Sequence, residues 1–357
     1  MLTFIHQILG FIKNIMKIPF QIKRILFLAK DQNSYYINEL RKPYFKKVQD
    51  LFYWYIKWHE INEFYYIYGF DLKNKNRKIQ DEFQDYENFR RTRNKSNLLG
   101  KSKSCQIVIL RDKFLFYKFM VGYIPVPKVF AIYIDGQFYD YNMCEISIQS
   151  FVNKENYFVK DMDGECASFV KKIRNFEELE KMFEKICYGK YIFQEVVSQC
   201  DKMNMINPTS INTLRIVTVK NINSAEPYVL SSLLRVGTKA TGSVDNWAVG
   251  GLIMGVYSNG YLKRQGFYKP GYGKMTMVHP DTGICFAEFQ VPYYQDAIKL
   301  ACQAHKLFYN VNSIGWDVAI TDNGPIIIEG NDNWEISMLQ VCDKGLRKKW
   351  QEVSKIE

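Results

Sequence analysis

Residues 314–334 constrain the fold of this chain more than any other stretch. They read IGWDVAITDNGPIIIEGNDNW, two short apolar runs rich in β-branched residues on either side of a turn with Asp, Asn, Gly and Pro. Runs of this kind around such a turn predict a β-hairpin. Because side chains alternate between the two faces of a strand, Asp317 points away from Trp316 and Val318. Antiparallel pairing across the turn then sets Asp317 roughly opposite Glu329.

The hairpin therefore gathers oxygen-bearing side chains on one face. Glu329 and Asn331 lie two residues apart and share that face. Adjacent carboxylates repel each other unless a proton or a cation bridges them. Mg²⁺ is the natural cation, because it prefers hard oxygen ligands, usually one or two carboxylates plus substrate phosphates. The alternative is a solvated acidic face with Asn331 capping a turn, and the hairpin alone slightly favours that alternative.

The composition is that of a globular protein with anionic partners. The 357 residues leave room for about two domains, and 47% of them are apolar. The net charge of +11 favours nucleotides, acidic sugars, nucleic acid or an acidic membrane surface as partners. Eight scattered cysteines without a CxxC pair, and only four histidines, argue against a zinc site. Reduced thiols in the cytoplasm fit this pattern better than a disulfide scaffold.

Residues 1–30 form a basic and apolar N-terminal segment. It lacks the small-residue cleavage site of a signal peptide, and basic residues interrupt it too often for a spanning helix. Polar residues recur at three- and four-residue steps as far as the region of Pro19, which predicts an amphipathic helix. Two interpretations stay open with equal weight: contact with an anionic membrane surface, or packing on the chain's own domain.

Residues 31–104 predict a helical region rich in aromatic residues. The stretch DLFYWYIKWHEINEFYYIYGFDL has apolar clustering of helical length, and the charged stretch after it predicts a solvated face. The basic and aromatic mix over residues 73–118 also raises nucleic-acid binding as an alternative. No RRM, helix-turn-helix or zinc-finger pattern accompanies this mix, so the sequence disfavours nucleic acid as a partner.

Residues 105–357 predict an α+β domain of two lobes. CQIVIL reads as a strand, with a short helix after Asp112 and a further strand beyond an Ile-Pro-Val-Pro segment. NFEELEKMFEKICYG and residues 292–310 predict amphipathic helices. Further strands are predicted at NYFVK, KYIFQEVV, INTLRIVTVKN, PYVLSSLLRVGT and GGLIMGVYSNGYLKRQG. Antiparallel runs of strands with helices between them differ from a regular βαβ series. We place a nucleotide lobe at about 105–200 and a metal and catalytic lobe at about 201–345.

Candidate site residues follow one another in a set order along this domain. Lysines come first, arginines and an asparagine come next, and the acidic hairpin comes last: Lys113, Lys160, Arg215, Arg235, Asn246, Asp317, Glu329 and Asn331. In this order the chain resembles the ATP-grasp superfamily. In the motifs SINTLRIVT, DNWAVGG, HPDTG and IGWDVAI…GPIIIEGNDNW it resembles, more narrowly, the sugar-transfer-associated ATP-grasp family. The resemblance covers roughly residues 105–340 and implies two α+β lobes of mainly antiparallel sheet that clamp ATP, behind an N-terminal helical region.

The resemblance implies that the first lobe binds the nucleotide. Lys113 and Lys160 would contact the phosphates of ATP, since an ammonium group binds phosphate as a point charge. The adenine would meet the segment made of Gln194, Glu195, Val196 and Val197. The alternatives are two surface lysines and an ordinary amphipathic strand that needs no ligand.

The resemblance implies that the second lobe carries the chemistry. Phosphoryl transfer depends mainly on positioning and charge neutralisation. Arg215 and Arg235 would stabilise the transferring phosphoryl group or a substrate carboxylate, with Asn246 beside the phosphates or the metal. One or two Mg²⁺ ions bridging the phosphates would be held by Asp317, Glu329 and Asn331. The alternatives are a salt bridge at a strand edge for the arginines and a turn role for Asn246.

The implied activity is that of an ATP-dependent carboxylate–amine ligase. A carboxylate attacks the γ-phosphate to give an acyl phosphate and ADP, and an amine then displaces the phosphate, so no protein nucleophile is required. The family name implies substrates linked to surface polysaccharide assembly. The scattered cysteines and the basic N-terminal segment fit a cytoplasmic protein, peripheral on the inner face of the membrane. The loop after Lys160, DMDGECASF, has one glycine where the family usually has several, which leaves turnover open. A kinase and a non-catalytic nucleotide-binding scaffold for a glycosyltransferase are the alternatives.

Overall fold

Two antiparallel sheets follow one another along the chain, behind N-terminal helices, in a computed structural model. The residues that the structure describes are 19–30, 33–36, 38–74, 77–83, 89–90, 93–94, 106–152, 156–163, 170–183, 188–220 and 226–354. The mixture of helices and antiparallel sheets confirms the predicted α+β class and its two lobes.

The N-terminal part contains helix α1, over residues 19–28, and helix α2, Tyr44–Trp58. Helix α2 ends because His59 adopts a left-handed conformation and its N–H bonds back to the Tyr55 carbonyl. Turns then occupy residues 63–71. In the region predicted to be helical, α2 and residues 89–90 and 93–94 are helical, whereas residues 63–71 form turns. Of the amphipathic segment predicted at 1–30, residues 1–18 lie outside the described part of the chain.

The first lobe opens with two short helices, α3 (Ile107–Arg111) and α4 (Lys113–Met120). The strand predicted for CQIVIL is wrong, because an apolar run this short fits both the helical period and the strand period. Ile107 and Leu110, three residues apart, lie on one face of the helix and enter the same core. The helix predicted after Asp112 is confirmed. The Asp112 carboxylate accepts hydrogen bonds from the backbone N–H groups of Phe114 and Leu115, which fixes where α4 begins.

The sheet of the first lobe has the strand order β2-β1-β5-β3-β4. Its strands are β1 (Val129–Ile134), β2 (Gln137–Tyr139), β3 (Tyr157–Asp161), β4 (Val170–Ile173) and β5 (Lys190–Glu195). Helices α5 (Gln149–Val152) and α6 (Phe176–Phe183) belong to this lobe. Leu179 and Met182 of α6 pack with Val159 and Phe193 of the sheet, which holds the helix against one face.

Helix α7 (Asp201–Ile206) leads into the second sheet, whose strand order is β10-β9-β8-β7-β6-β11-β12. Its strands are β6 (Thr213–Lys220), β7 (Pro227–Val236), β8 (Leu252–Val256), β9 (Leu262–Tyr268), β10 (Met275–Thr276), β11 (Ser313–Thr321) and β12 (Gly324–Asn331). Helix α8 (Tyr294–Leu307) matches the helix predicted at 292–310, and α9 (Ile336–Cys342) and α10 (Leu346–Ser354) follow the last strand.

The predicted hairpin is confirmed as β11 and β12, and its register is the predicted one. Asp317 pairs with Glu329, and Thr321 pairs with Gly324 across the turn. Gly324 has a φ of +102°, a conformation that glycine adopts without a side-chain clash. A bulge after Asp317 shifts the pairing of the remaining strand.

Different elements pack against the two faces of the second sheet. One face packs against α3, α4 and α8, where Ala297, Leu300 and Ala304 of α8 are buried at helical spacing. The other face packs against α9, α10 and the N-terminal part, so that Trp54 of α2 and Val217 of β6 share one core. Among the described residues, no helix is both long and apolar enough to cross a membrane.

Candidate active site

Four neighbouring strands of the second sheet carry the predicted second-lobe residues. Arg235 lies on β7, Arg215 on β6, Asp317 on β11 and Glu329 on β12, in the order in which these strands are hydrogen-bonded. Asp317 lies directly opposite Arg215 on one side and Glu329 on the other. Arg215, Asp317 and Glu329 therefore form one row across the sheet, and Arg235 lies next to this row, opposite Thr213.

Two arginines hold the carboxylate of Asp317. The Arg215 Nε and Nη2 donate to its Oδ1 and Oδ2 at 2.6 and 3.0 Å, and the Arg235 Nη2 lies 2.9 Å from Oδ2. The Asp317 side chain is almost fully buried. Such a bidentate, charge-assisted pair fixes the plane of the guanidinium as well as its position. The predicted arginines and the predicted acid thus form one cluster.

Glu329 and Asn331 form the other side of this cluster. The Asn331 Nδ2 donates to Glu329 Oε1 at 3.2 Å and to the Gly315 carbonyl at 3.4 Å. Burial raises the pKa of Asp317. The two arginines act to lower this pKa, whereas the neighbouring Glu329 raises it further. Glu329 shifts in the other direction: burial acts to raise its pKa, but the Asp317 side chain and the arginines lower it. Two carboxyl groups with opposite pKa shifts in one cluster are typical of a functional site.

The donor set fits a magnesium ion. Two carboxylates and one amide supply the hard oxygen ligands that Mg²⁺ prefers. Among the described residues, no group of three His, Cys, Asp or Glu side chains forms an alternative metal site. Asp317 already accepts two hydrogen bonds from Arg215 and forms an ion pair with Arg235, so Glu329 and the Asn331 amide oxygen are the ligands least engaged by cationic groups.

Thr213 and Asp245 complete the cluster, and the sequence reasoning missed both. The Thr213 hydroxyl donates to Asp245 Oδ2 at 2.5 Å and accepts from Arg235 Nε and Nη2 at 3.0 and 2.8 Å. Asp245 Oδ1 lies 3.5 Å from Arg235 Nη2. Both residues belong to quoted motifs, SINTLRIVT and DNWAVGG, so the signal was present. Asn246 instead accepts from the Ala248 N–H, which is the turn role given as the alternative.

The HPDTG motif supports the loop that carries Asp245. The His279 ring nitrogen Nε2 lies 2.9 Å from the Gly237 carbonyl, and Asp281 Oδ2 accepts from the Lys239 N–H at 2.8 Å. His279 is fully buried. These two contacts fix the start of the loop that leads from β7 to Asp245, so this motif positions the site without touching the arginines.

The first lobe contributes Lys160, which lies beside the segment predicted to meet adenine. The Lys160 Nζ on β3 donates to the Gln194 Oε1 on β5 at 2.7 Å. Burial lowers the pKa of Lys160 to about 8. The charge of Glu329 in the other lobe acts to raise this pKa, and the charge of Lys113 acts to lower it further. Charges from both lobes therefore act on one amine. The backbone N–H of Lys113 bonds to the Met162 carbonyl just beyond β3, which places the start of α4 near Lys160.

Gln194 to Val197 form the exit from β5 towards the second lobe. The Gln194 Nε2 donates to the Pro127 carbonyl at 3.4 Å, and Glu195 exchanges hydrogen bonds with the backbone of Lys128. Val197 is buried, whereas Val196 is half-buried. Their contact with adenine stays a prediction. The loop with the single glycine, after Asp163, lies outside the described residues.

A family model described as sugar-transfer associated ATP-grasp matches residues 93–355. The chain belongs to this ATP-grasp family. A search of curated proteins found no match.

The chain also matches solved structures at low sequence identity. N5-carboxyaminoimidazole ribonucleotide synthetase from Thermotoga maritima matches at 15% identity and a TM-score of 0.36, over 63% of this chain and 42% of that chain. D-alanine–D-alanine ligase from Bacillus anthracis matches at 13% identity and a TM-score of 0.40, over 69% and 68%. This ATP-grasp chain therefore spans less than half the length of the synthetase.

Gly315 offers a test of the arginine position. A Cβ on this residue would lie 2.6 Å from the Trp334 Cβ and 3.2 Å from Arg215 Nη1. We expect Gly315→Ala to lower the free energy of unfolding by about 1–3 kcal/mol, as overpacking does, and to weaken nucleotide binding by displacing Arg215. Urea unfolding and calorimetric titration with an ATP analogue measure the two effects.

Gly266→Ala in β9 is the matched control for this substitution. Its Cβ would lie 2.5 Å from the Phe286 ring, away from the arginines. We expect a similar loss of stability and an unchanged affinity for the analogue. Equal affinity in the Gly315 and Gly266 variants would contradict the role given to Arg215.

Proposed function

We propose that the protein is an ATP- and Mg²⁺-dependent ligase that joins a carboxylate to an amine through an acyl phosphate. The observation that carries this proposal is the cluster in which Arg215 and Arg235 contact Asp317 beside Glu329, with Lys160 within electrostatic range. Cationic side chains for phosphate and oxygen ligands for a cation lie together, as phosphoryl transfer requires. Family membership supports the same chemistry.

Residues of the second lobe would hold the magnesium ion of a bound nucleotide, and lysines of the first lobe would contact its phosphates. Glu329 and Asn331, with Asp317, would hold Mg²⁺, which neutralises the charge of the phosphates when it is bound. Lys160 and Lys113 would contact the phosphates from the first lobe.

The arginines act on the transferring group. Arg235 is fixed by Thr213 and Asp245, and Arg215 by Asp317, so both guanidinium groups are held in place before substrate binds. Donors that need no reorganisation stabilise developing charge most effectively. In the first step a substrate carboxylate oxygen bonds to the γ-phosphorus and ADP leaves. In the second step an amine bonds to the carbonyl carbon and phosphate leaves.

The proposed substrates are sugar-linked. We propose that the carboxylate or the amine belongs to a sugar of a surface polysaccharide precursor, on the strength of the family description and the net charge of +11. Acidic sugars are attracted to a strongly basic protein. The acceptor would enter beside the arginines, since these can bind its carboxylate.

A substrate panel tests this proposal. The protein is incubated with ATP, Mg²⁺ and pairs of sugar acids and amines, and phosphate release and product mass are recorded. A ligase gives ADP, phosphate and a product that has lost water, and Lys160→Met reduces the rate. A product that has gained a phosphoryl group would identify a kinase instead. Analogue binding without phosphate release from any pair would favour the non-catalytic scaffold.

A further inference from the structure

The outer surface of the two N-terminal helices is unusually apolar. Phe20 and Phe27 of α1 are 66% and 54% exposed, and Phe45 and Ile56 of α2 are 83% and 70% exposed. Residues 20 and 27 are separated by two helical turns. Phe45, Tyr53 and Ile56 share one face of α2 with the polar Gln49, so each helix presents one outward stripe that is mainly apolar. We call these two stripes the N-terminal apolar surface.

The two helices are held in place with these stripes outward. Ile25 of α1 and Ala29, directly after it, are fully buried and hold this helix against the protein. The Tyr44 hydroxyl at the start of α2 donates to the Leu26 carbonyl at 3.1 Å. The ring of Tyr44 also makes an edge contact with Phe45. The exposed rings are therefore a property of the packed fold, and the stripe of α1 joins the stripe of α2 at its first turn.

Basic side chains are interleaved with these rings. Residues 19–30 contain Lys23, Arg24 and Lys30 and no acidic residue. The Lys30 Nζ lies 5.5 Å from the centre of the Phe27 ring, and the Lys57 Nζ lies 5.7 Å from the Tyr53 ring. Arg24 is paired with Glu63, whereas Lys23 and Lys46 are exposed. The surface therefore offers aromatic rings and positive charge side by side.

A lipid bilayer with anionic headgroups matches this combination. Aromatic rings enter the boundary between headgroups and acyl chains, while lysines beside them contact lipid phosphates. The described part of α1, residues 19–28, extends over about 15 Å, which is sufficient for its side chains to lie along a bilayer surface. A protein partner would instead favour a contiguous apolar centre with its charges at the rim.

We propose that the N-terminal apolar surface docks the protein on anionic lipid bilayers. Phe20, Phe27, Phe45 and Ile56 insert at headgroup level, and the lysines beside them neutralise lipid charge. This proposal is independent of the proposed ligase activity. It extends the membrane contact predicted for residues 1–30 to α2, and it names the side chains that make the contact.

Vesicle co-sedimentation of the full chain tests the proposal. The probes are phosphatidylcholine vesicles and vesicles of equal parts phosphatidylcholine and phosphatidylglycerol. We expect binding to the mixed vesicles, weakened by salt, and little binding to the neutral ones. Phe27→Glu with Phe45→Glu should reduce the affinity more than about tenfold, because a buried aromatic ring contributes more than that factor. Lys23→Gln with Lys30→Gln should weaken binding and flatten its salt dependence.

Met205→Glu with Tyr309→Glu is the matched control, since these side chains are 60% and 70% exposed elsewhere on the fold. It should bind like the wild type, and thermal unfolding and analogue binding should be unchanged in all variants. Wild-type binding by the double phenylalanine variant would overturn the proposal and assign any membrane contact to another segment. Absence of vesicle binding by the wild type, or a dimer that these variants convert to a monomer, would overturn it as well.

Discussion

Asp317→Ala is expected to lower the free energy of unfolding by about 3–5 kcal/mol and to abolish Mg²⁺-dependent binding of an ATP analogue. The substitution leaves Arg215 and the partly shared Arg235 buried without their main carboxylate partner. Removing one member of a buried ion pair costs this much because the remaining charge is uncompensated. Urea unfolding at neutral pH measures the first effect, and calorimetric titration measures the second.

Glu329→Gln is the matched variant for this prediction. Glu329 accepts a hydrogen bond from Asn331 and feels the charge of the arginines without pairing with them as closely as Asp317 does, so Glu329→Gln should cost less stability than Asp317→Ala while still weakening Mg²⁺-dependent binding. Adding Arg215→Met to Asp317→Ala should restore part of the lost stability, because the unpaired charge is removed. An Asp317→Ala protein as stable as the wild type would show that the arginine cluster is solvated and not structural.

Raising the pH from 7 to 9 is expected to weaken binding of the ATP analogue about tenfold. Burial lowers the pKa of Lys160 to about 8, so the amine is charged at pH 7 and mostly neutral at pH 9 in the free protein. Bound phosphate favours the charged form, so binding above pH 8 must take up a proton and loses affinity as the pH rises. Titrations in the presence of Mg²⁺ at several pH values measure the slope.

Two substitutions of Lys160 serve as controls for this pH dependence. Lys160→Arg keeps a positive charge through pH 9, so its affinity should vary little over the range. Lys160→Met should bind weakly and with equally little variation. A wild-type slope that persists in both variants would assign the pH dependence to another group.

The hairpin was predictable down to its register, because a short turn and a two-residue period leave one pairing that buries the apolar face. Asp317 opposite Glu329 follows from local sequence alone. The contact between Asp317 and Arg215 does not, since it depends on β6 lying beside β11, and the two residues are 102 positions apart in the chain. The order of lysines, arginines and acids carried that information only through resemblance to a family.

Other parts of the site were beyond sequence reasoning for different reasons. Asp245 and Asn246 are neighbours, and nothing in DNWAVGG says which one turns towards Arg235 and which one caps the following turn. CQIVIL is predicted to be a strand and is found in a helix, because the apolar pattern of six residues does not distinguish a buried strand from a buried helix. The aromatic run after α2 has helical composition, but its Tyr and Phe side chains enter a core shared with the second sheet and the backbone forms turns.

The arginine-held Asp317 implies cooperativity between cation and nucleotide. Arg215 and Arg235 lie against Asp317, with Asp245 and Glu329 beside them, so each sign already has a counter-ion within the protein. A lone divalent cation must compete with guanidinium groups, and a lone triphosphate must compete with carboxylates. When both are bound, the carboxylates would hold the cation, and the arginines, still fixed by Asp317, would contact the phosphates, so that each ligand offsets the charge that repels the other. Each ligand should therefore tighten the other, by the same factor in either order of addition.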